Sequence, residues 1–524
     1  MTTLVIADRR ISSILGYIAG HGAQAWIVGG FLRDSLLGRP SHDVDLVLPG
    51  HVFELARDLA RAFGGTCFVL DQEREASRVL LRSEAGAPLS VDLARLRAPD
   101  LPEDLALRDF TINAMAAEIR GDAGPAGIID PFGGQGDLAG RLVAAVSDRA
   151  FRDDPLRTLR GVRLAVELGF DIAAGTRGLI RRDAGLLAES AAERVRDELA
   201  RILGAPGAWQ HLRLMAGLDL LRLVLPEAQA LVGVGQSEPH YLDVFDHTRA
   251  VLAHAEGILA ALGAIGNGEH AAASTPYSLP PSPYSLSSDP VQAAPSWQWV
   301  GVTAALAPFA TELRAHLARP LAGGRSRQDL FQWAALAHDW GKPATRSVGD
   351  DGRIHFYEHD RLGARLARER MASLAFSTAE IEYVAALVCL HMRPGNLARA
   401  FPPTQRALYR LARAAASCGP DVALLALADR MGTREEAEDE FRALLEVCRL
   451  AFDAYFHRHD AWVDPAPLLD GRQIMAELKL EPGREVGRLL EALKEAQAVG
   501  EVRTADEARR WLRGQGRLGA TGLP

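Results

Sequence analysis

Near residue 145 the apolar residues of this chain change their period, and that change limits what it can fold into. Before it, Ala25-Trp26-Ile27-Val28, the alternation Val44, Leu46, Val47, and the runs Thr66–Leu70, Arg78–Leu81 and Leu89–Leu93 read as short strands. Helical stretches over 4–19, 31–37 and 51–63 lie between them. After it, Leu, Ala and Arg recur at helical spacing almost to the end. With 524 residues and roughly 100–200 residues per domain, three or four domains are expected. The fold class this implies is α+β: a mixed segment over 1–145 followed by helical ones. One stretch, 263–298, is rich in Gly, Ala, Ser and Pro and nearly repeats itself as Pro276-Tyr277-Ser278-Leu279 and Pro283-Tyr284-Ser285-Leu286. Such a composition buries too little apolar surface to offset chain ordering, so it reads as a disordered insertion with no assigned role.

A hydrophobic fraction of 48% with 24% charged residues suits a globular protein with real cores. No run approaches the ~20 uninterrupted apolar residues of a membrane span, and Met1-Thr2-Thr3-Leu4-Val5 does not open a secretory signal. Cys67, Cys389, Cys418 and Cys448 lie far apart with no Cys-x-x-Cys pair, which argues against a disulfide framework and suits a reducing cytoplasm. The net charge of −8 is unusual for a nucleic-acid binder, but binding depends on local patches. From Arg149 to Arg201 the arginines come thickly, among them Arg157, Arg160, Arg163, Arg194 and Arg196.

Two carboxylate sets carry the chemistry. Gly29-Gly30-Phe31-Leu32-Arg33-Asp34 is followed by Asp43-Val44-Asp45. On a strand, residues i and i+2 share a face, so Asp43 and Asp45 project together. Their repulsion is relieved by a hard divalent cation such as Mg²⁺. Gly29 and Gly30 permit close backbone approach to a phosphate, whose charge nearby amides can cradle. Asp92, in Val91-Asp92-Leu93, sits on another expected strand and supplies a third carboxylate, as two-metal phosphoryl transfer requires. A lone Asp-x-Asp is more often a solvated strand edge; the Gly-Gly-x-x-Arg-Asp ahead of it shifts the reading toward catalysis.

Together these motifs resemble those of the DNA polymerase β-like nucleotidyltransferases, and more narrowly class II CCA-adding enzymes and bacterial poly(A) polymerases. The resemblance implies roles for further residues. In Arg108-Asp109-Phe110-Thr111-Ile112-Asn113, Arg108, like Arg33, would bind phosphate, and Asp109 and Asn113 would meet the sugar. The family has two arginines here, whereas this chain has Leu107 before Arg108. The competing reading makes Asp109 a helix cap. Asp130-Pro131-Phe132-Gly133-Gly134 resembles the family's hinge between head and neck. In Asp153-Asp154-Pro155-Leu156-Arg157, Asp154 and Arg157 would read the incoming base by Watson–Crick-like hydrogen bonds, sharing a helix face at i, i+3. An N-cap followed by a first-turn proline is the alternative for Asp154. Arg160, Arg163, Arg194 and Arg196 would then meet RNA phosphates in a helical body.

The second set is His247, His338-Asp339, His359, His391 and Asp429. Imidazoles and carboxylates in that mixture suit several divalent metals without selecting one. Their order resembles the HD superfamily of metal-dependent phosphohydrolases, with His247, His338, Asp339 and Asp429 as core ligands. His359 and His391 would hold a second metal or phosphate, and Lys342 could meet phosphate. A metal-activated water attacking a phosphomonoester or 2′,3′-cyclic phosphate would be the implied chemistry.

The expected plan is a nucleotidyltransferase head over 1–145, a helical RNA-binding neck and body over 146–235, an HD domain over 236–435 containing the 263–298 insertion, and a helical tail over 436–524. The expected activity is template-independent addition of CMP and AMP, from CTP and ATP, to the 3′ end of tRNA or another RNA. Poly(A) addition, or CC- or A-addition alone, are rivals within the class. An HD phosphohydrolase whose head merely binds nucleotide or RNA is the rival outside it. No membrane partner is expected, and oligomeric state is not legible.

Overall fold

Buried apolar runs set the order of the first sheet. The computed structural model describes residues 6, 8–22, 24–82, 88–120, 124–266, 289–291, 294–433 and 438–520, in two compact units: Met1–Glu198 with Gly217–Leu223, and Leu199–Ala216 with Val224–Pro524. In the first unit, β1 (Trp26–Val28) is buried along its whole length, whereas β2 (Asp43–Leu48) turns Val44 and Leu46 into the core and leaves Asp43 exposed. The remaining strands are β3 (Thr66–Asp71), β4 (Ala76–Leu81), β5 (Leu89–Arg95), β6 (Ala116–Arg120) and β7 (Gly124–Ile129). They assemble in the order β3-β4-β5-β2-β1-β6-β7. Only the β2–β5 pair is parallel, so the chain must cross over between them.

Three helices flank these strands. In α1 (Arg9–Gly20), Asp8 caps the first turn by accepting from the Arg10 N–H, and Ile11, Ile14, Leu15 and Ile18 form its buried stripe. The helix expected over 4–19 thus begins at Arg9; residues 4, 5 and 7 lie outside the described residues. In α2 (Gly29–Leu36) the chain leaves β1 through Gly29, whose φ of +69° is open to glycine and strained for other residues. The third, α3 (Val52–Ala62), packs Leu55, Ala56 and Leu59 inward and begins the crossover.

Past the sheet, the helix Arg157–Leu168 buries Leu159, Val162 and Leu164 and ends at Gly169 in the left-handed conformation. Its Gly161 lies against Phe110, whose Cζ is 3.0 Å from where a Cβ would stand. The two-strand pair Leu142–Val143 and Asp171–Ile172 interrupts the helical pattern expected there.

In the second unit the long helix Val244–Gly266 packs against Arg327–Ala337 and Gly419–Met431. Val244–Ile265 and Gln405–Met431 are long and apolar enough to cross a membrane, but each is 67% buried within the protein. Capping boxes start the helices Arg327–Ala337 (Ser326 with Asp329) and Thr378–Leu390 (Ser377 with Glu380). A short hairpin, Arg346–Val348 with Ile354–Phe356, is a strand pair the helical pattern did not suggest. The insertion expected over 263–298 is narrower: residues up to Gly266 finish one helix and Ser296 begins the next. Residues 267–288 and 292–293 lie outside the described residues. Asp289 is held by the fully buried Arg249, Nη2 to Oδ2 2.6 Å. The tail packs on its own core of Leu469, Ile474, Leu489, Leu493, Val502 and Leu512.

Candidate active sites

Strand register builds the head site. Parallel pairing sets Asp45 beside Asp92, and antiparallel pairing sets Arg78 across from the same Asp92. Arg78 grips Asp92 with both arms, Nε to Oδ1 and Nη2 to Oδ2 each 2.7 Å. Asp92 therefore stands where a third carboxylate was expected, already neutralised by an arginine the sequence reading did not single out. Arg78 was legible only as one position of an alternating strand.

Asp45 is pressed from several sides. Burial first, then the charges of Asp92 and Asp43, push its pKa above the ordinary carboxylate range, while Arg108 and the Gly30 N–H favour the ionised form. A Cβ on Gly29 would lie 2.9 Å from Asp45 Oδ2 and 3.4 Å from Arg108 Nη1. The close approach that Gly29 permits is thus to the Asp45 carboxylate. Arg108 leans on buried Asp104, Nη2 to Oδ2 3.4 Å, and its Nε has no hydrogen-bond partner. An electrostatically crowded carboxylate beside exposed Asp43 is the donor set a hard divalent cation fits.

Several residues expected to touch nucleotide are tied to each other. Arg33 donates from Nε and Nη2 to Asp34 (2.9 and 2.9 Å) and from Nη1 to Asn113 Oδ1 (2.8 Å). Asn113 Nδ2 donates to Asp109 Oδ1 at 3.1 Å, and Arg160 Nε meets Asp109 Oδ2 at 2.9 Å. Burial pushes the Asp109 pKa up, but Arg160, Asn113 and the Phe110 N–H outweigh it and hold the carboxyl below its usual range. Asp109, Asn113 and Arg33 are all buried. Arg33, expected at phosphate, is thus buried between Asp34 and Asn113, whereas Arg160, expected at RNA, pairs with Asp109 while its side chain stays exposed. Nor does Asp109 cap a surface helix.

Asp154 and Arg157 do not share a helix face. Asp154 is extended (φ −150°, ψ 101°), and the helix begins at Arg157. Arg194 Nη2 donates to Asp154 Oδ2 at 3.0 Å. Arg157 donates to the carbonyls of Leu107 (2.8 Å), Arg108 (3.2 Å) and Ala150 (3.2 Å), so it braces the Arg108 loop. The i, i+3 argument fails because Pro155 and the extended Asp154 precede the first turn. Arg163 also departs from expectation: it is buried between Glu198 (2.7 Å) and Glu167 (3.6 Å), which removes it from any RNA-facing surface. Arg196 meets Asp197 at 2.9 Å.

The second unit gathers every residue of the other set. His338 and His391 end two buried helices, His359 begins a third, and His247 and Asp429 lie within Val244–Gly266 and Gly419–Met431. Two triads form, His247–His338–Asp429 and Asp339–His359–His391. Oxygen and nitrogen approach closely: His247 Nε2 to Asp429 Oδ1 2.9 Å, His338 Nε2 to Asp339 Oδ2 3.1 Å, His359 Nε2 to Asp339 Oδ1 3.5 Å. Each Nδ1 is fixed by a backbone carbonyl: His338 to Ala335 (2.8 Å), His359 to Phe356 (2.7 Å), His391 to Val388 (2.7 Å), His247 to Gly432 (3.2 Å). Carbonyl partners on Nδ1 point Nε2 inward, the outer-shell arrangement of imidazole metal ligands. The Nε2 atoms of His359 and His391 are buried without hydrogen-bond partners, and that of His338 faces Asp339. Burial pulls the His391 pKa down to about 4, keeping a neutral ring able to ligate. This donor set fits one or two divalent cations.

Lys342 meets Asp339 at 2.7 Å and Gln236 Oε1 at 2.6 Å, so it was rightly noticed near the centre but is engaged there. His240 was missed. It stands edge-on to His247 with ring centroids 4.8 Å apart, and burial holds its pKa at about 2.

A strand aspartate pair set against a glycine turn, followed by an inward-pointing His/Asp centre, defines a metal-dependent nucleotidyltransferase head joined to an HD module. The poly A polymerase head domain matches residues 25–144, the probable RNA and SrmB-binding site of polymerase A matches 169–231, and the HD domain matches 303–434. An A-adding tRNA nucleotidyltransferase of Deinococcus radiodurans is 33% identical over 503 residues, covering 93% of this chain and 94% of its own. A CC-adding tRNA nucleotidyltransferase of Thermus thermophilus is 32% identical over 513 residues, covering 96% of each. A solved CCA-adding enzyme in complex with ATP shares the fold, with a TM-score of 0.59 at 17% identity over 99% of this chain and 96% of that one. The chain belongs to the tRNA nucleotidyltransferase family.

Proposed function

We propose that this protein transfers CMP or AMP from CTP or ATP to the 3′-hydroxyl of tRNA without a template, building all or part of the CCA end. The observation that carries the reading is Asp45, crowded by Asp43 and Asp92 and backed by Gly29 and Arg108. Asp43 and Asp45 would hold a divalent cation such as Mg²⁺, with Asp92 assisting once Arg78 yields it. That cation would lower the pKa of the attacking hydroxyl and draw charge from the leaving pyrophosphate. Arg108, with an unpartnered Nε, would take triphosphate charge. Arg33, Asn113 and Asp109 support this loop from behind, and Arg157 braces its carbonyls. Asp154 and Arg157 would present the base-reading edge, with Arg194 releasing Asp154 to the incoming amine.

The nearly full-length relatives named above are an A-adding and a CC-adding tRNA nucleotidyltransferase. Their names favour a second reading in which this chain performs one part of the addition. Transcripts of tRNA ending before CCA, after C and after CC, each given CTP, ATP or both with Mg²⁺, separate the cases. Extension of the first to CCA and then arrest identifies the whole reaction. CC alone, A on the CC end alone, or a long A tract identifies a partial enzyme or a poly(A) polymerase. No incorporation by folded protein removes the head's catalytic assignment and leaves a nucleotide-binding head on a phosphohydrolase.

The HD centre supports a second activity on a phosphomonoester or 2′,3′-cyclic phosphate, suited to repair of RNA ends, with His247, His338, Asp339, Asp429, His359 and His391 as ligands. The separated, unbridged thiols Cys67, Cys389, Cys418 and Cys448 suit a reducing cytoplasm.

A further inference from the structure

Beside the His391–Asp429 edge of the HD centre lies a small cavity of about 60 Å³, walled by His391, Asp429, Asn396, Arg399 and Arg430, with Glu440 among its lining. Arg399 ends the helix Met392–Arg399, is exposed, and makes no ion pair among the described residues. Arg430 follows the ligand Asp429 directly in its helix and reaches Glu440 Oε2 at 2.7 Å. It is half-shielded from solvent and lies in the field of Arg399. Two guanidinia facing one cavity repel, and Glu440, itself exposed, engages Arg430 and not Arg399. Arg399 thus brings to the cavity, next to the metal ligands, a guanidinium with no ion pair among the described residues. Planar guanidinia match phosphate oxygens in geometry as well as in charge.

We propose that this cavity is the phosphate-binding half of the HD centre, where Arg399 and Arg430 receive the phosphoryl oxygens of a phosphate ester whose remainder lies outside the cavity, and displace Glu440 from Arg430. The inference rests on the metal reading of the HD residues and names the groups that select its substrate. The ester's phosphorus would then face the edge formed by His391 and Asp429.

Calorimetric titration of the Mn²⁺-loaded full-length protein with inorganic phosphate and with 3′-AMP tests this. Both should bind, and Arg399→Gln should weaken each by about tenfold, the effect of losing one charge-assisted contact. Glu440→Gln should tighten both by a few-fold, because the competing carboxylate is gone. Arg430→Gln should weaken both as well; since it also breaks a helix–helix ion pair, Arg399→Gln is the deciding variant. Mn²⁺ stoichiometry should be the same in all of them. Unchanged phosphate affinity in Arg399→Gln, with Mn²⁺ bound, overturns this inference alone, as does phosphate binding with 3′-AMP excluded. Failure of the wild-type protein to take up Mn²⁺ overturns the metal reading beneath it.

Discussion

The two centres place carboxylates under opposite conditions. In the head, the chain supplies counter-charge: Arg78 closes both oxygens of Asp92, and Arg108 and the Gly30 N–H face Asp45. In the HD centre Lys342 meets Asp339, but the carboxylates otherwise face imidazoles whose outer nitrogens are fixed, and the inner nitrogens of His359 and His391 are buried without hydrogen-bond partners. An unpartnered buried polar atom costs about 1–3 kcal/mol, so two in one cluster are tolerable only where something receives them, and a divalent cation does. The head is close to balanced by itself and suits a cation that arrives with the nucleotide. The HD centre is shaped for a resident one. Metal should therefore matter to turnover in the head and to stability in the HD domain.

The largest expected effects separate the centres. Asp45→Asn should lower tRNA extension by about a thousandfold or more, equivalent to roughly 4 kcal/mol of barrier, while leaving Mn²⁺ uptake by the HD centre intact. His338→Ala should abolish that uptake and leave extension within about twofold. Loss of extension in His338→Ala, measured on protein whose melting curve shows both units folded, would mean that the centres are coupled and would break the comparison. Next in size is the effect of chelation. A cation bound at a hundredfold over its Kd stabilises by about 3 kcal/mol, so EDTA should lower the Tm of the wild-type protein by several degrees. His391→Ala should erase most of that difference, and Asp45→Asn should leave it in place. An EDTA effect that follows Asp45 would reverse the assignment of the resident ion.

Much of this was readable before any coordinates. Val44, Leu46 and Val47 mark a strand, and the strand buries all three while Asp43 is exposed and Asp45 is largely shielded within the site. The six HD residues converge although they are scattered from His247 to Asp429, because each sits at a helix terminus or on a buried helix whose apolar spacing the sequence displays. What escaped was pairing across the sheet and between helices. Arg78 meets Asp92 only through the antiparallel β4–β5 register, which no local pattern encodes. Arg163 belonged to an arginine-rich stretch that looked like an RNA-facing surface. Its burial against Glu198 depends on a helix-to-helix contact, so charge density along the chain misled where partners lay far apart in sequence. The shared helix face expected of Asp154 and Arg157 fails for a local reason: Asp154 is extended and the helix begins only at Arg157.

Gly29→Ala sharpens the comparison from the backbone side. A Cβ there must adopt φ near +69° and stand 2.9 Å from Asp45 Oδ2. The conformation itself costs about 1–2 kcal/mol, and the contact must move the carboxylate. Extension should fall by about tenfold to a hundredfold, while Mn²⁺ uptake at the HD centre stays at the wild-type level. Gly169→Ala is the matched control, because its φ is +67° and its nearest neighbour is a guanidinium nitrogen of Arg141 at 3.3 Å. It should lose similar stability with little loss of extension. Equal activity losses in the two variants would reduce Gly29 to an ordinary turn residue.

The smallest expected effect concerns Arg78. The pair with Asp92 is partly exposed, with side-chain exposures of 44% and 28%, so Arg78→Gln should change stability by less than about 1 kcal/mol. Its charge, however, sits beside the carboxylates that would hold the head's cation. Removing it returns a full negative charge to Asp92, next to Asp45 in register. The Mg²⁺ concentration for half-maximal extension should then fall by about twofold to threefold, an electrostatic effect that weakens as salt is raised. A titration of extension rate against Mg²⁺ at low and high salt checks this. An unchanged Mg²⁺ requirement would place Asp92 outside the cation's reach and leave Asp43 and Asp45 as the working pair. A collapse of extension as deep as that of Asp45→Asn would instead put the Arg78 guanidinium itself among the groups that meet the triphosphate.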